Sequence, residues 1–182
     1  MFSHYFIRPL DLDADINKIF NVIMNPNEQF NLRGNINANS IEIYRDQLTN
    51  KLGNQYHDFD VIEVDGRFAG FIATYDFQTV NIKAMIYIES AYRNGKLGLV
   101  GIDYLNRIFL KYNIDKVYTE VYAYNEHSIK YHKQFGFQEE GRLIDYRYFA
   151  GRYWDLIFYS ISRNSFYSKY SSVIDRFLKK NV

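Results

Sequence analysis

Residues 92–101 read Tyr92-Arg93-Asn94-Gly95-Lys96-Leu97-Gly98-Leu99-Val100-Gly101. A strand-like run, Thr79 to Glu89, precedes them, and a long segment of helical apolar periodicity comes after. The stretch is therefore a strand-to-helix turn, where backbone N–H groups converge and anions bind. Gly95, Gly98 and Gly101 let the backbone approach a neighbour or a phosphate without side chains in the way. This loop reads as a cradle for the pyrophosphate of a nucleotide-bearing molecule.

Working outward, the hairpin comes first. Phe59 to Val64, the Asp65-Gly66 turn and Phe68 to Phe77 are two strands around a favoured turn dipeptide, and Thr79 to Glu89 is the next strand. After the glycines, Leu97, Gly101, Tyr104, Leu105, Ile108 and Tyr112 share one face of a helix over 97–112. Lys116 to Tyr124 alternates and is a strand. The helical crossover sets it parallel to the strand before the glycines. Asn125 to Phe135 is a shorter helix closed by Gly136. Phe137 to Phe149 and Tyr153 to Ile161 form a last hairpin around Ala150-Gly151.

The flanks are helical. His4 to Leu10 is a short strand, and Asp11 or Asp13 caps a helix with Ile16, Ile19, Phe20 and Ile23 at helical spacing, ended by Pro26. Residues 25–39 are asparagine-rich and read as a loop or broken helix. Ser40 opens a helix to about Leu52. A terminal helix, Asn164 to Lys180, carries Phe166, Tyr170, Ile174, Phe177 and Leu178. No repeat or linker interrupts the 182 residues, which suit one domain, 1–182.

Composition excludes several classes. The net charge of +1 supplies no field for nucleic acid or an anionic membrane. No apolar run approaches the length that spans a bilayer, and the first residues lack a leader pattern, so a soluble cytoplasmic protein is expected. The absence of cysteine removes disulfides, thiolate metal sites and a cysteine nucleophile. His127 and His132, five apart, do not share a helix face as a metal pair would, and no metal is expected. Neither Gly-x-Ser-x-Gly nor a P-loop is present.

The order strand, glycine loop, helix, strand, and then Asn125-Glu126-His127-Ser128-Ile129-Lys130-Tyr131-His132-Lys133-Gln134-Phe135-Gly136-Phe137, resembles the GNAT superfamily of acetyl-CoA-dependent N-acetyltransferases. Glu140-Gly141 and the later Gly151, Tyr153 and Asp155 are similar to its ribosomal-protein and spermidine acetyltransferase subgroup. The resemblance runs from about Asp60 to Tyr159. It implies a mixed α/β fold: a central, mostly antiparallel sheet of about seven strands, flanked by helices, with two parallel strands splayed to hold acetyl-CoA. The glycine loop departs from the family pattern, since Lys96 stands where the middle glycine belongs and Gly95 falls one residue early.

The resemblance implies acetyl transfer from acetyl-CoA, as co-substrate, directly to a primary amine: a protein N-terminus, a polyamine or an amino sugar. Tyr131 is then the general acid for the departing thiolate. The cofactor would be held by Ile88 at the strand end, by Arg93, Asn94, Gly95, Lys96, Leu97 and Gly98, by Asn125 and Ser128 on the second helix, and by Lys133 at a phosphate. The general base is not legible: Glu89, carried as a catalytic candidate, and Glu120 are the nearest carboxylates by topology, against a surface or supporting role for either and a water chain to bulk solvent. The partner is a small-molecule or peptide amine. A rival reading is a non-catalytic acyl-CoA binder or interaction module of the same fold. A homodimer through the aromatic terminal helix is a further reading, against packing on its own sheet.

Overall fold

The computed structural model describes residues 5–25, 28, 38–54, 56–93 and 98–178. Seven strands form one sheet: β1 (Tyr5–Pro9), β2 (Tyr56–Val64), β3 (Arg67–Gln78), β4 (Asn81–Ile88), β5 (Lys116–Tyr122), β6 (Gln138–Phe149) and β7 (Arg152–Ser162). Their order across the sheet is β1-β2-β3-β4-β5-β7-β6. The described helices are α1 (Leu12–Met24), α2 (Ile41–Asn54), α3 (Gly98–Lys111), α4 (Glu126–Phe135) and α5 (Arg163–Val173), with a 3₁₀ turn at Ser90–Tyr92 and a π turn at Ile174–Leu178. The sheet is mixed and helix-flanked, with one parallel pair, as the resemblance implied. Much of the asparagine-rich stretch lies outside the described residues, as do Asn94, Gly95, Lys96 and Leu97 of the glycine loop.

Two compact units are distinguished, residues 1–76 with 85–100, and 77–84 with 101–182. In the first, α1 starts where Asp11 accepts from the N–H groups of Asp13 and Ala14, the side-chain cap the sequence offers. Its apolar stripe, Ile16, Ile19, Val22 and Ile23, packs with Tyr44 and Leu48 of α2 and with Phe59, Phe71, Ala73 and Tyr87 of the strands. Asp15 is fully buried within this unit, held by Arg8 (2.6 Å) and Lys18 (3.1 Å), while Arg8 also reaches Glu63 (2.8 Å). The Asp65-Gly66 turn has both residues at positive φ (49° and 73°), the twist a two-residue hairpin requires.

The close approach of β3 to β4 depends on Gly70. A Cβ built there would lie 2.1 Å from the Tyr87 carbonyl oxygen, so no side chain fits.

In the second unit, β4 and β5 run parallel, Asn81, Ile82 and Lys83 pairing with Lys116, Val117 and Tyr118. Both strands continue beyond these three pairs. β5 then pairs antiparallel with β7 along its whole length. Phe109 of α3 meets Phe166 of α5 at 5.4 Å, and Phe135 of α4 meets Tyr170 at 4.9 Å. The terminal helix thus packs on its own unit through Phe166 and Ile174, both buried. Arg163 at its start donates to the carbonyls of Ile114 (2.9 Å) and Tyr112 (2.9 Å), closing the turn after α3.

Candidate active site

In the first unit, the expected residues lie at the end of β4 and in the turn after it. Glu89 N–H continues the strand pairing by donating to Ala69 (2.8 Å). Arg93 turns back on the strand, donating from Nε to the Ile88 carbonyl (2.7 Å) and from Nη2 to Glu28 (2.5 Å). Its guanidinium also lies over the Tyr87 ring, 5.6 Å from the centroid. The arginine that the sequence motif assigns to the phosphate loop therefore braces the strand end, clamped between a backbone carbonyl and a buried carboxylate.

Glu28 shapes the electrostatics here. Burial pushes the Tyr87 phenol up to about 12, with the Glu28 charge adding to it. Burial also raises the Glu89 carboxyl, and Glu28 again adds. A carboxyl raised in this way is a stronger base than an exposed glutamate.

In the second unit, the expected residues lie on α4. Asn125 caps it, its side chain accepting from Ser128 N–H (3.0 Å), and Gly136 closes it in the left-handed region (φ 103°) with N–H bonds to the carbonyls of His132 and Lys133. The asparagine and the glycine thus fix both ends of the helix. Between them, Ser128, Tyr131 and His132 form one cluster.

His132 is buried, and burial takes its pKa down to about 4, against the opposing effect of its bond to the Ser128 backbone. It is therefore neutral at pH 7. Nδ1 lies 2.7 Å from the Ser128 carbonyl oxygen and 3.2 Å from Ser128 Oγ. A carbonyl only accepts, so Nδ1 carries the proton and the imidazole donates. This leaves the Ser128 hydroxyl hydrogen available to another acceptor.

Tyr131 lies between Phe135 and His132, each with ring centroid 5.5 Å away. Its hydroxyl points at α3: a Cβ built on Gly101 would sit 2.5 Å from that oxygen and 3.2 Å from the Phe135 ring. Burial moves the phenol above its ordinary pKa, and Tyr170 adds to the effect. The group stays protonated across the physiological range, the form in which it donates. Among the described residues the hydroxyl has no hydrogen-bond partner, and it is not one of the fully buried unpartnered oxygens.

Lys133 is exposed on the outer side of α4. Glu120 is paired with Lys83 (3.1 Å) across the parallel strands. No cluster of potential metal ligands occurs among the described residues. Of the expected residues, Asn125, Ser128 and Tyr131 come together on α4, and Ile88, Glu89 and Arg93 come together at the end of β4.

Three participants escaped the sequence reading. His132 is legible in the sequence only as half of an unsuited metal pair, although its i+4 spacing from Ser128 is a visible signal. Glu28 lies 65 positions from Arg93 and gave none. Gly101 is legible both as a loop glycine and as part of the helix face over 97–112, but nothing in the sequence shows that it makes room for Tyr131.

The family model described as acetyltransferase (GNAT) family matches residues 26–137, and the chain belongs to that family, the acetyl-CoA-dependent N-acetyltransferases. It is similar to the SPbeta prophage-derived uncharacterized N-acetyltransferase YokL of Bacillus subtilis (strain 168), 30% identical over 125 residues, 67% of this chain and 71% of that protein. The putative ribosomal N-acetyltransferase YdaF of the same organism is 28% identical over 132 residues, 69% of this chain and 72% of that one. Among solved structures, the spermidine N-acetyltransferase from Vibrio cholerae in complex with CoA and spermine superposes with a TM-score of 0.79 at 19% identity, covering 89% of this chain and 97% of that chain. Among the described residues no helix is long and apolar enough to cross a membrane.

Proposed function

We propose that the chain transfers acetyl from acetyl-CoA directly to a small-molecule or peptide amine, with Tyr131 protonating the leaving sulfur. The observation that carries this is the Tyr131 hydroxyl: held by a glycine slot, kept protonated by burial and without a protein partner among the described residues. As the thioester bond breaks, charge builds on sulfur and the phenol donates to it. Ser128, fixed by the Asn125 cap and by neutral His132, supplies a second hydroxyl on the same helix for the amide-rich arm of the co-substrate. Glu89, its carboxyl raised by burial and Glu28, takes the proton that the amine releases.

The absence of cysteine favours one ternary complex over an acyl-enzyme. The phosphates fall to the glycine loop, of which Gly98 opens α3, with Lys133 as an outlying cation. Binding, orientation and two proton transfers are the whole of the chemistry required.

The test is release of CoA thiol from acetyl-CoA over an amine panel, with acetyl-CoA binding monitored by thermal shift. Tyr131→Phe is expected to lower kcat about 10²-fold, at the low end for a lost acid, and to leave the acetyl-CoA shift unchanged. An undiminished rate removes Tyr131 from the mechanism. Cofactor binding without thiol release over the whole panel removes the enzyme reading.

A further inference from the structure

At the end of β5 the second unit holds an arginine that makes no ion pair among the described residues. Directly paired residues in an antiparallel ladder point to the same face. Thr119 of β5 pairs with Tyr159 of β7, and the Tyr159 ring stacks on His132 of α4 at 5.9 Å. Residues in register with Thr119 therefore face α4. Tyr122 pairs with Leu156 and faces the other way. Arg147 of β6 pairs with Trp154, two residues from Leu156, so it shares the face of Tyr122.

A bulge places Arg147 there. Leu143 pairs with Leu156 and Arg147 with Trp154, so four residues of β6 advance against two of β7. Asp145, inside the bulge, is in the left-handed region (φ 52°) and its N–H donates to Asp155 Oδ1 (3.1 Å). An irregularity of this kind re-aims a side chain. The guanidinium carbon of Arg147 comes to rest 4.7 Å from the Tyr122 ring centroid and 6.0 Å from that of Tyr124, with Nη1 donating to the Tyr124 hydroxyl (3.0 Å).

Among the described residues the fork makes no other hydrogen bond. Asp155, the carboxylate one residue along β7 from Trp154, is engaged by the Asp145 N–H and by Arg142 (3.5 Å). Among the described residues Arg147 makes no ion pair. A second cation, Arg152, lies over the Trp154 ring, 3.5 Å from its centroid. Arg147 is half-buried rather than enclosed, so a ligand can reach its guanidinium from solvent. A planar fork resting on aromatic rings suits the bidentate capture of an oxyacid.

Tyr124 stands directly before Asn125, the cap of the helix that carries Tyr131. A ligand held at Arg147 would therefore stand at the same end of β5, on the face away from α4. We propose that Arg147 anchors an anionic group of the acceptor, so that the amine acetylated here also bears a carboxylate or phosphate. Two cations on this face disfavour a polyamine, whose remaining charges are positive. The inference rests on the acetyl-transfer reading and narrows its acceptor.

Trp154 is the only tryptophan in the chain, so its emission reports on this site without any turnover. Glycylglycine and O-phosphoethanolamine are titrated against the full chain, with glycylglycinamide, ethanolamine and spermidine as controls. A saturable change with an anionic ligand is expected. It should weaken about 10- to 100-fold in Arg147→Gln, the range for a lost charge-assisted hydrogen bond, and return in part in Arg147→Lys. In the thiol-release assay the anionic member of a pair should be preferred, and Arg147→Gln should erase that preference while acetyl-CoA binding stays unchanged.

No saturable emission change with either anion overturns the inference, as does spermidine or an amide serving as the better acceptor. So does an equal loss for both members of a pair in Arg147→Gln. If thiol release fails throughout while the anion still binds through Arg147, the transfer reading falls and the anion site stands.

Discussion

Replacing Gly101 with alanine tests whether the position of one hydroxyl controls turnover. The added Cβ would stand 2.5 Å from the Tyr131 oxygen and 3.2 Å and 3.4 Å from atoms of the Phe135 ring, where ordinary contact begins at 3.4 Å. The tyrosine oxygen must therefore retreat by about 1 Å, and displacement on that scale is enough to cost about 10²-fold in rate. Stability moves in two directions. Overpacking costs about 1–3 kcal/mol, and alanine in place of glycine within a helix returns about 1 kcal/mol.

The net expectation is a folded protein, destabilised by no more than about 2 kcal/mol, with acetyl-CoA binding preserved and kcat reduced about 10²-fold. The double variant with Tyr131→Phe decides the cause. Removing the hydroxyl removes the atom that the methyl strikes, so the double variant should be as slow as Tyr131→Phe alone and more stable than Gly101→Ala. The assays are steady-state thiol release and thermal melts with and without acetyl-CoA. Wild-type turnover in Gly101→Ala, or rate losses that simply multiply in the double variant, would refute the reasoning.

Two pH dependences arise from buried groups. Burial alone would raise the Asp15 carboxyl, but hydrogen bonds from Arg8, Lys18 and the Asp11 N–H bring it from 3.8 down to about 2. A depressed carboxylate stabilises the fold above its unfolded pKa and loses that contribution as pH falls from about 4 to 2, so Asp15→Asn should remove about 2 kcal/mol of the acid-side loss seen in denaturant titrations; an unchanged slope in that window would refute it. His132 is neutral in the fold, with its pKa lowered from 6.5 to about 4. The unfolded chain takes up its proton first, so stability falls from about pH 6.5 to 4 by roughly 3 kcal/mol. His132→Phe should flatten that window while leaving the lower one intact, and a slope that persists between pH 6.5 and 4 would place the titrating group elsewhere.

The parts of the fold that were legible in the sequence are those governed by local rules. Asp11 and Asn125 cap α1 and α4, Asp65-Gly66 turns the first hairpin, and Gly136 closes α4 in the left-handed region. Each is a short-range demand of the backbone that one or two residues satisfy, so the pattern carries it. The same holds for the parallel placement of β4 and β5, which results from a helical crossover between them. Element ends shifted slightly: Tyr112 and Tyr124 fall beyond the helix and strand to which their apolarity assigned them.

The tertiary structure decided the roles of side chains whose partners lie far away in the chain. Arg93 belongs by position to the phosphate loop, yet its guanidinium meets Glu28 and the Ile88 carbonyl. Gly101 reads as a glycine on the first helix face after the loop, and only the approach of α4 turns it into the slot for Tyr131. Arg147 occupies an ordinary place in an alternating strand, but a bulge breaks the alternation and lays it on Tyr122 and Tyr124. Periodicity and capping act over a few residues and are written in the chain, whereas the charge and reach of a side chain depend on its neighbours in the packed fold.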